Sequence, residues 1–423
     1  MLRMNHSIYI HIPFCTHRCA YCDFNTYAGQ EDSIPAYVNA LCREIEFVGS
    51  RFASPSRAEK SPGRERSNGE VEAGRAVTGE RNVHTLFFGG GTPSLLSPNQ
   101  FESILKAIRA NFSLTQDAEI TMEANPGTVS YEDLLKLRRL GINRISFGVQ
   151  SANTEELRML ERAHNYLDVI QAVLSARKAR FDDLNLDLIY GLPEQTLRTW
   201  QTTVKRILGL HPEHISAYAL TLEHGTPFGR WSAKGLLPLP DPDLAAEMYE
   251  WASETFEANG YLQYEISNWA KPGHECKHNL QYWRGLPYLA VGAGAHGYTN
   301  GYRYSNVLHI KSYIGRLSND QAANYQFPLT PATVNHHKQT PLEDMSEFMM
   351  TGLRLTQEGV SENVFQTRFG IAMRDVYGRE IEELLKLGLV EWYSGWADGR
   401  LPIVRITRRG RLLGNQVFLR FVD

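Results

Sequence analysis

Short apolar runs alternate with helical periodicities over the first half of the chain. Ile8-Tyr9-Ile10-His11-Ile12 reads as a short buried strand, and Ile34 to Val48 as an amphipathic helix with Tyr37, Leu41, Ile45 and Val48 near one face. His84 to Phe88 predicts a second strand, followed by a helix over Pro98 to Asn111 and a strand over Ala118 to Glu123. The turn Asn125-Pro126-Gly127 leads into a helix from Tyr131 to Leu140. Strands follow at Arg144 to Gly148, Leu184 to Ile189 and His214 to Leu220, each with a helical stretch behind it. Alternation of this kind implies parallel pairing through right-handed crossovers. Six such strands fall short of a closed eight-stranded barrel, so the predicted class is α/β, a partial (β/α)6 barrel.

Two stretches break the rhythm. Residues 50–82 are Ser, Gly, Pro, Glu and Arg with almost nothing apolar, which predicts a disordered insertion. Beyond Pro238 the alternation stops: Leu244 to Asn259 reads as a helix, and Tyr264 to Gly301 is rich in aromatics, Gly and His. From about Pro341, helical pieces precede Leu389 to Tyr393, a polar Gly-containing turn and Ile403 to Thr407, resembling a winged-helix module. The expected division is therefore a barrel over 1–49 and 83–237, the insertion, a linker and motif region over 238–340, and an α+β winged-helix-like domain over 341–423.

Composition narrows the setting. A chain of 423 residues accommodates one large domain and a smaller one, and 42% hydrophobic with 22% charged residues suits a globular protein. A net charge of −3, with no basic recognition helix, gives no reason to expect nucleic acid as a partner. No signal-peptide-length apolar run or membrane span is evident. Of five Cys, three share one loop, and Cys42 with Cys276 make a poor disulfide framework, so a reducing cytoplasm is expected.

That loop, Cys15-Thr16-His17-Arg18-Cys19-Ala20-Tyr21-Cys22, carries the chemistry. Thiolates so spaced can turn toward one metal centre. Zinc would want a fourth ligand, for which His11 and His17 are the local candidates; unrelated thiols are the bland reading. Three sulfurs suit a [4Fe–4S] cluster with one iron left open. Gly89-Gly90-Gly91-Thr92-Pro93-Ser94 lacks the Gly-Lys-Ser/Thr of a nucleotide loop, but its backbone suits the ammonium and carboxylate of an amino acid. Glu123, Gln150 and Asp187 fall at or near strand ends, the functional edge of barrel enzymes, and Arg162 is a further polar candidate.

The cysteine spacing, with Tyr21 before the last Cys, resembles the radical S-adenosylmethionine (SAM) superfamily. The resemblance implies that SAM chelates the open iron and that an electron from the cluster cleaves it to a 5′-deoxyadenosyl radical. Ile10 to Cys15, the Gly89 to Pro93 turn, Glu123-Ala124-Asn125-Pro126-Gly127, Ser146 to Ser151 and Asp187 to Pro193 together resemble the anaerobic coproporphyrinogen III oxidase family. This implies that Tyr9, Gly90 and Glu123 help hold SAM. Tyr21, Gly91, Thr92, Gln150, Arg162 and Asp187 match that family's other SAM positions, including those for a second molecule.

Two departures point to its haem chaperone branch, HemW: Asp23-Phe24 follows Cys22 where the oxidase has another Cys, and only fourteen residues precede Cys15. His278-Asn279-Leu280-Gln281-Tyr282 matches that branch's HNxxY motif. On a helix, His278 and Tyr282 share a face; the imidazole would ligate haem iron, with the phenol as second contact and Cys276 as alternative ligand. The resemblance thus implies haem, a haem-accepting client protein and an electron donor as partners, and it accommodates a homodimer and transient contact with a membrane or respiratory complex. The competing reading is oxidative decarboxylation of coproporphyrinogen III.

Overall fold

The computed structural model describes residues 6–52, 82–318, 325–393 and 402–422. Its spine is one sheet of strands β1 (His6–Ile12), β2 (Asn82–Gly90), β3 (Ser113–Ala124), β4 (Arg144–Gln150), β5 (Leu184–Tyr190) and β6 (His214–Ala219). These six pair in parallel in sequence order. Between them run α1 (Ile34–Phe52), α2 (Pro98–Asn111), α3 (Tyr131–Leu140), α4 (Thr154–Met159), α5 (Tyr166–Lys178) and α6 (Leu197–Leu208). The helices start and stop where local chemistry dictates. Ser97 and Gln100 form a reciprocal capping box on α2, Asn165 and Asp168 another on α5. Gly141 ends α3 at φ 104°. On α1, Tyr37, Leu41, Ile45 and Val48 are all buried, as their spacing predicts.

After α7 (Pro227–Ala233) and α8 (Pro242–Ala258), the segment expected to link domains instead completes the sheet. Strands β7 (Leu262–Glu265) and β8 (Asn268–Ala270) extend one edge antiparallel beyond β6. Past α9 (Lys277–Trp283), strand β9 (Tyr288–Val291) pairs in parallel with β1 on the opposite side from β2. Strands β10 (His296–Thr299), β11 (Tyr302–Asn306) and β12 (Thr333–Lys338) continue outward antiparallel, with α10 (Ile310–Ser318) inserted before β12. The order is β12-β11-β10-β9-β1-β2-β3-β4-β5-β6-β8-β7, twelve strands that curve as a partial barrel and do not close. Glu44 of α1 clasps the added edge. Its buried carboxylate accepts from Gly292 N, Asn306 Nδ2, Tyr313 OH and Thr330 Oγ1 at 2.6–2.8 Å, satisfying both oxygens twice.

The C-terminal unit has its own core, built from α11 (Pro341–Gly352), α12 (Glu362–Phe369) and α13 (Met373–Lys386) around residues such as Met349, Phe365 and Leu384. Its small sheet joins β13 (Val360–Ser361), β15 (Ile403–Ile406) and β14 (Val390–Tyr393) antiparallel, the winged-helix-like arrangement. Both ends of the expected insertion are structured, since α1 reaches Phe52 and β2 begins at Asn82. The remainder of that insertion, and the wing's turn, lie outside the described residues. Among the described residues no helix is long and apolar enough to cross a membrane.

Candidate functional site

Parallel strands place their C-terminal ends on one edge, and the loops leaving β1 to β6 converge there. The loop after β1 holds Cys15, Cys19 and Cys22, all of which line one cavity of about 470 Å³. A tight turn, Cys22 N–H to Cys19 O at 3.1 Å, brings the last two thiols to the same side. Arg162 donates to Cys19 Sγ at 3.7 Å, and Thr92 Oγ1 donates to Cys15 Sγ at 3.5 Å. Burial pushes the Cys15 and Cys22 thiols up, so binding iron there would release protons. Among the described residues no three His, Cys, Asp or Glu side chains converge as ligands of a single ion. Each zinc candidate already has a partner, although His17 lines the cavity. His11 bonds Asn25 O and the Tyr9 hydroxyl at 3.0 Å, and His17 pairs with Glu161. Three sulfurs around a shared space, rather than around a point, fit a [4Fe–4S] cubane in which three irons would each take one thiolate and the fourth would stay open. Cys42 lies on α1 against the core and Cys276 is fully buried at the start of α9; neither lines this cavity.

The amides of the glycine turn are bonded within the protein. Gly91 N–H donates to Ile12 O at 2.8 Å and Thr92 N–H to Phe14 O at 2.7 Å. Gly90 N–H donates to Glu123 Oε2 at 3.1 Å. These bonds tie the turn to the cysteine loop and to Glu123. Glycine is needed because a Cβ at Gly91 would stand 2.6 Å from Phe14 O, and one at Gly90, with φ 111°, 2.5 Å from the His11 ring. The turn thus locks against the cysteine loop and fixes its course.

Tyr21, Gly90, Gly91, Thr92, Glu123, Gln150, Arg162 and Asp187, all predicted from sequence, line the same cavity as the thiols. Gln150 sits at φ 66°, a conformation sparsely populated for side chains other than glycine, where β4 breaks off into the loop. Arg162 is held by Asn125 Oδ1 and by Gly148 O at 2.9 Å. Burial, then the Asp187 charge, pushes the Glu123 carboxyl up to about 8. Burial also raises Asp187, which accepts from Ser146 Oγ at 2.7 Å and Asn185 Nδ2 at 2.8 Å. Tyr9 is the exception: its ring packs on Phe87 and His278 below the thiol cavity.

That lower space is a second cavity of about 220 Å³ inside the half-barrel, sharing Glu123, Ser146, Asp187 and Tyr218 with the first. Its lining includes Arg144, Asn185, His214 and Ser216, residues the periodicity reading passed over. The signal was present. Glu119-Ile-Thr121-Met-Glu123, Arg144-Ile-Ser146-Phe, Leu184-Asn185-Leu-Asp187 and His214-Ile-Ser216-Ala-Tyr218 alternate strictly polar and apolar. Parallel strands covered on both faces usually run continuously apolar, so alternation marks a polar lumen.

Lys277–Trp283 is a helix, and His278 Nε2 and Tyr282 OH lie 2.8 Å apart on one face, as predicted. That face points into the lumen. His278 is 0% exposed, stacked on Phe87 at 5.1 Å. Thr85 Oγ1 donates to Ser7 at 2.6 Å and lies 2.7 Å from His278 Nδ1, which assigns the proton to Nδ1 and leaves Nε2 to accept from Tyr282. Both ring nitrogens are engaged, and burial pushes the imidazole down to about 3. Cys276 Sγ faces Glu119, whose carboxylate also accepts from Lys277 N and His278 N, at 2.9 and 3.1 Å.

Known proteins share this plan. The radical SAM superfamily model matches residues 9–207, and the HemN C-terminal domain model matches residues 339–413. A protein named heme chaperone HemW in Bacillus subtilis is 38% identical, covering 98% of this chain and 99% of its own. Its namesake in Lactococcus lactis is 35% identical, covering 100% and 98%. The solved coproporphyrinogen III oxidase HemN of Escherichia coli superposes with a TM-score of 0.77 at 23% identity, over 99% of this chain and 90% of that one, and so shares the fold. On full-length similarity to these relatives, the chain belongs to the HemW family of the radical SAM superfamily.

Proposed function

We propose that this protein is a cytoplasmic haem chaperone that carries a [4Fe–4S] cluster and SAM, binds haem and passes it to a haem-requiring client, with a separate electron donor for the cluster. The carrying observation is the single cavity that joins Cys15, Cys19 and Cys22 to Glu123, Gln150, Arg162 and Asp187 at the C-terminal edge of the sheet. Cys15, Cys19 and Cys22 would hold the cluster there, and it would supply the electron for cleavage of bound SAM. In the protein, Arg162 steadies Cys19 and the β4 carbonyl edge, Thr92 steadies Cys15, and Gly90 with Glu123 forms the floor. The chaperone is preferred to coproporphyrinogen oxidation because the relatives matched over their full length are named heme chaperone HemW, whereas likeness to the oxidase at 23% identity is one of fold.

His278 is the proposed iron ligand, and Tyr282 its neighbouring contact. Ligation through Nε2 requires the Tyr282 hydroxyl to release it and α9 to shift, because the lumen beside it is only about 220 Å³. Anaerobic reconstitution followed by parallel assays tests both levels. Retention of haem without coproporphyrinogen oxidation supports the chaperone, and product formation supports the enzyme. A changed haem spectrum in His278→Ala places iron at this imidazole; an unchanged one removes it.

A further inference from the structure

A third cavity, about 570 Å³, runs between the sheet's β5–β6 edge and the C-terminal unit. It meets the thiol cavity at Tyr218, Ala219 and Leu220, and Tyr218 borders the lumen as well. Tyr218 is 42% exposed, because its ring faces these openings while its hydroxyl turns inward toward Asp187 and Asn268. One wall is apolar and aromatic, formed by Tyr190, Tyr249 and Ala245 with Phe418 opposite. Among the described residues the charged ones lining it are Arg354 and Arg411.

Neither cation is fully satisfied. Arg354 lies over Trp283 and Phe418 and pairs with the buried Glu265 at 3.5 Å through one end of its guanidinium. Arg411 donates to the neutral Gln263 Oε1 at 2.6 Å, and among the described residues no carboxylate lies within ion-pair distance of it. The nearby Arg408 and Arg405 are already matched by Glu257 and Glu391. The Nε of both Arg354 and Arg411 is buried without a partner. A half-buried cation whose donors are not all matched has room for an anion to complete it.

We propose that this groove is where haem docks, its flat macrocycle against the aromatic wall and its propionates on Arg411 and Arg354. The proposal rests on the haem chaperone reading and adds a place to it. Haem is apolar over most of its surface with two carboxylates along one edge, and the groove offers an aromatic wall together with two guanidiniums. Pockets of this size suit ligands of that class. The groove is also accessible, with Pro242, Leu412 and Asn415 exposed at its rim, whereas His278 is sealed. Docking here precedes any ligation deeper inside and puts haem next to the cluster cavity.

Haemin and haemin dimethyl ester are titrated against the reconstituted full-length protein and against Arg411→Gln and Ala246→Trp. The wild type is expected to bind the ester about tenfold or more weakly than haemin, for want of charged acceptors. Arg411→Gln should weaken haemin by a similar factor and leave the ester unchanged. Ala246→Trp, which adds bulk to the groove and replaces neither arginine nor a residue bonded to one, should weaken both, with iron and sulfide content unchanged in every variant. Haemin affinity within twofold of wild type in either variant, or equal affinity for haemin and ester, overturns the groove while the chaperone reading stands. Failure of the wild type to retain haemin overturns both.

Discussion

Glu123 stands in the wall between the thiol cavity and the lumen, bonded to Gly90 N and facing Asp187. Its carboxyl is pushed up to about 8, so the folded protein keeps a proton there that the unfolded chain gives up from about pH 4.3. The unfolded state binds fewer protons at this group in this window, so the stability that Glu123 itself contributes falls as pH rises from about 5 through 8. The ligand-free protein should accordingly melt several degrees lower at pH 8.5 than at pH 6, and Glu123→Gln should flatten that slope. An unaltered slope in Glu123→Gln would place the titrating group elsewhere. The cysteines separate as sharply. Cys15→Ala, Cys19→Ala and Cys22→Ala should each abolish iron retention after anaerobic reconstitution, while Cys42→Ala and Cys276→Ala keep it, because neither lines the cavity. Iron lost in Cys276→Ala, with the fold intact by circular dichroism, would contradict this.

Helix α9 shows how an element can be legible in sequence and its orientation not. Four-residue spacing put His278 and Tyr282 on one face, but spacing cannot say whether that face meets solvent or a neighbour. The answer lies in Glu119, far away in sequence on β3, which accepts from the first amides of α9 and fixes the helix over the lumen. Glu119→Ala would leave those donors buried and unmatched, and should cost about 2–3 kcal/mol in urea denaturation of the ligand-free protein. A loss under about 0.5 kcal/mol would mean that α9 is held by packing alone. The six central strands were readable because their apolar cores are compact and each is followed by helical periodicity. The edges were not. Strands β7 to β11 are three to five residues long and mixed in polarity, and β12 is Thr-Val-Asn-His-His-Lys, largely exposed. Their pairing is decided by partners remote in the chain. The site residues were mostly legible as motifs; the lumen residues were not, since polar alternation on parallel strands passes for a half-exposed sheet.

At the scale of the molecule, a polar interior makes stability depend on acid. Burial pushes His6, His11 and His164 down to about 4 and His278 to about 3, and holds His214 well below its usual range. Each is neutral when folded but takes a proton below about pH 6.5 when unfolded, so stability conferred by these groups is present above that pH and lost as it falls. Together with Glu123 acting on the alkaline side, this predicts a stability maximum between about pH 6 and 7, read from melting temperatures across pH 4–9; a monotonic profile would contradict it. The pairing of β1 has a consequence of another kind. The strand that launches the cysteine loop is flanked on one side by β2 and on the other by β9, whose residues 288–291 emerge from the ribosome long after residue 12. At typical elongation rates the interval is on the order of tens of seconds. Throughout it, the nascent chain presents β1 as an open sheet edge, with its thiols already translated beside it. Metal capture before β9 arrives would therefore act on a half-built wall, which favours loading of iron and sulfide after release rather than during synthesis.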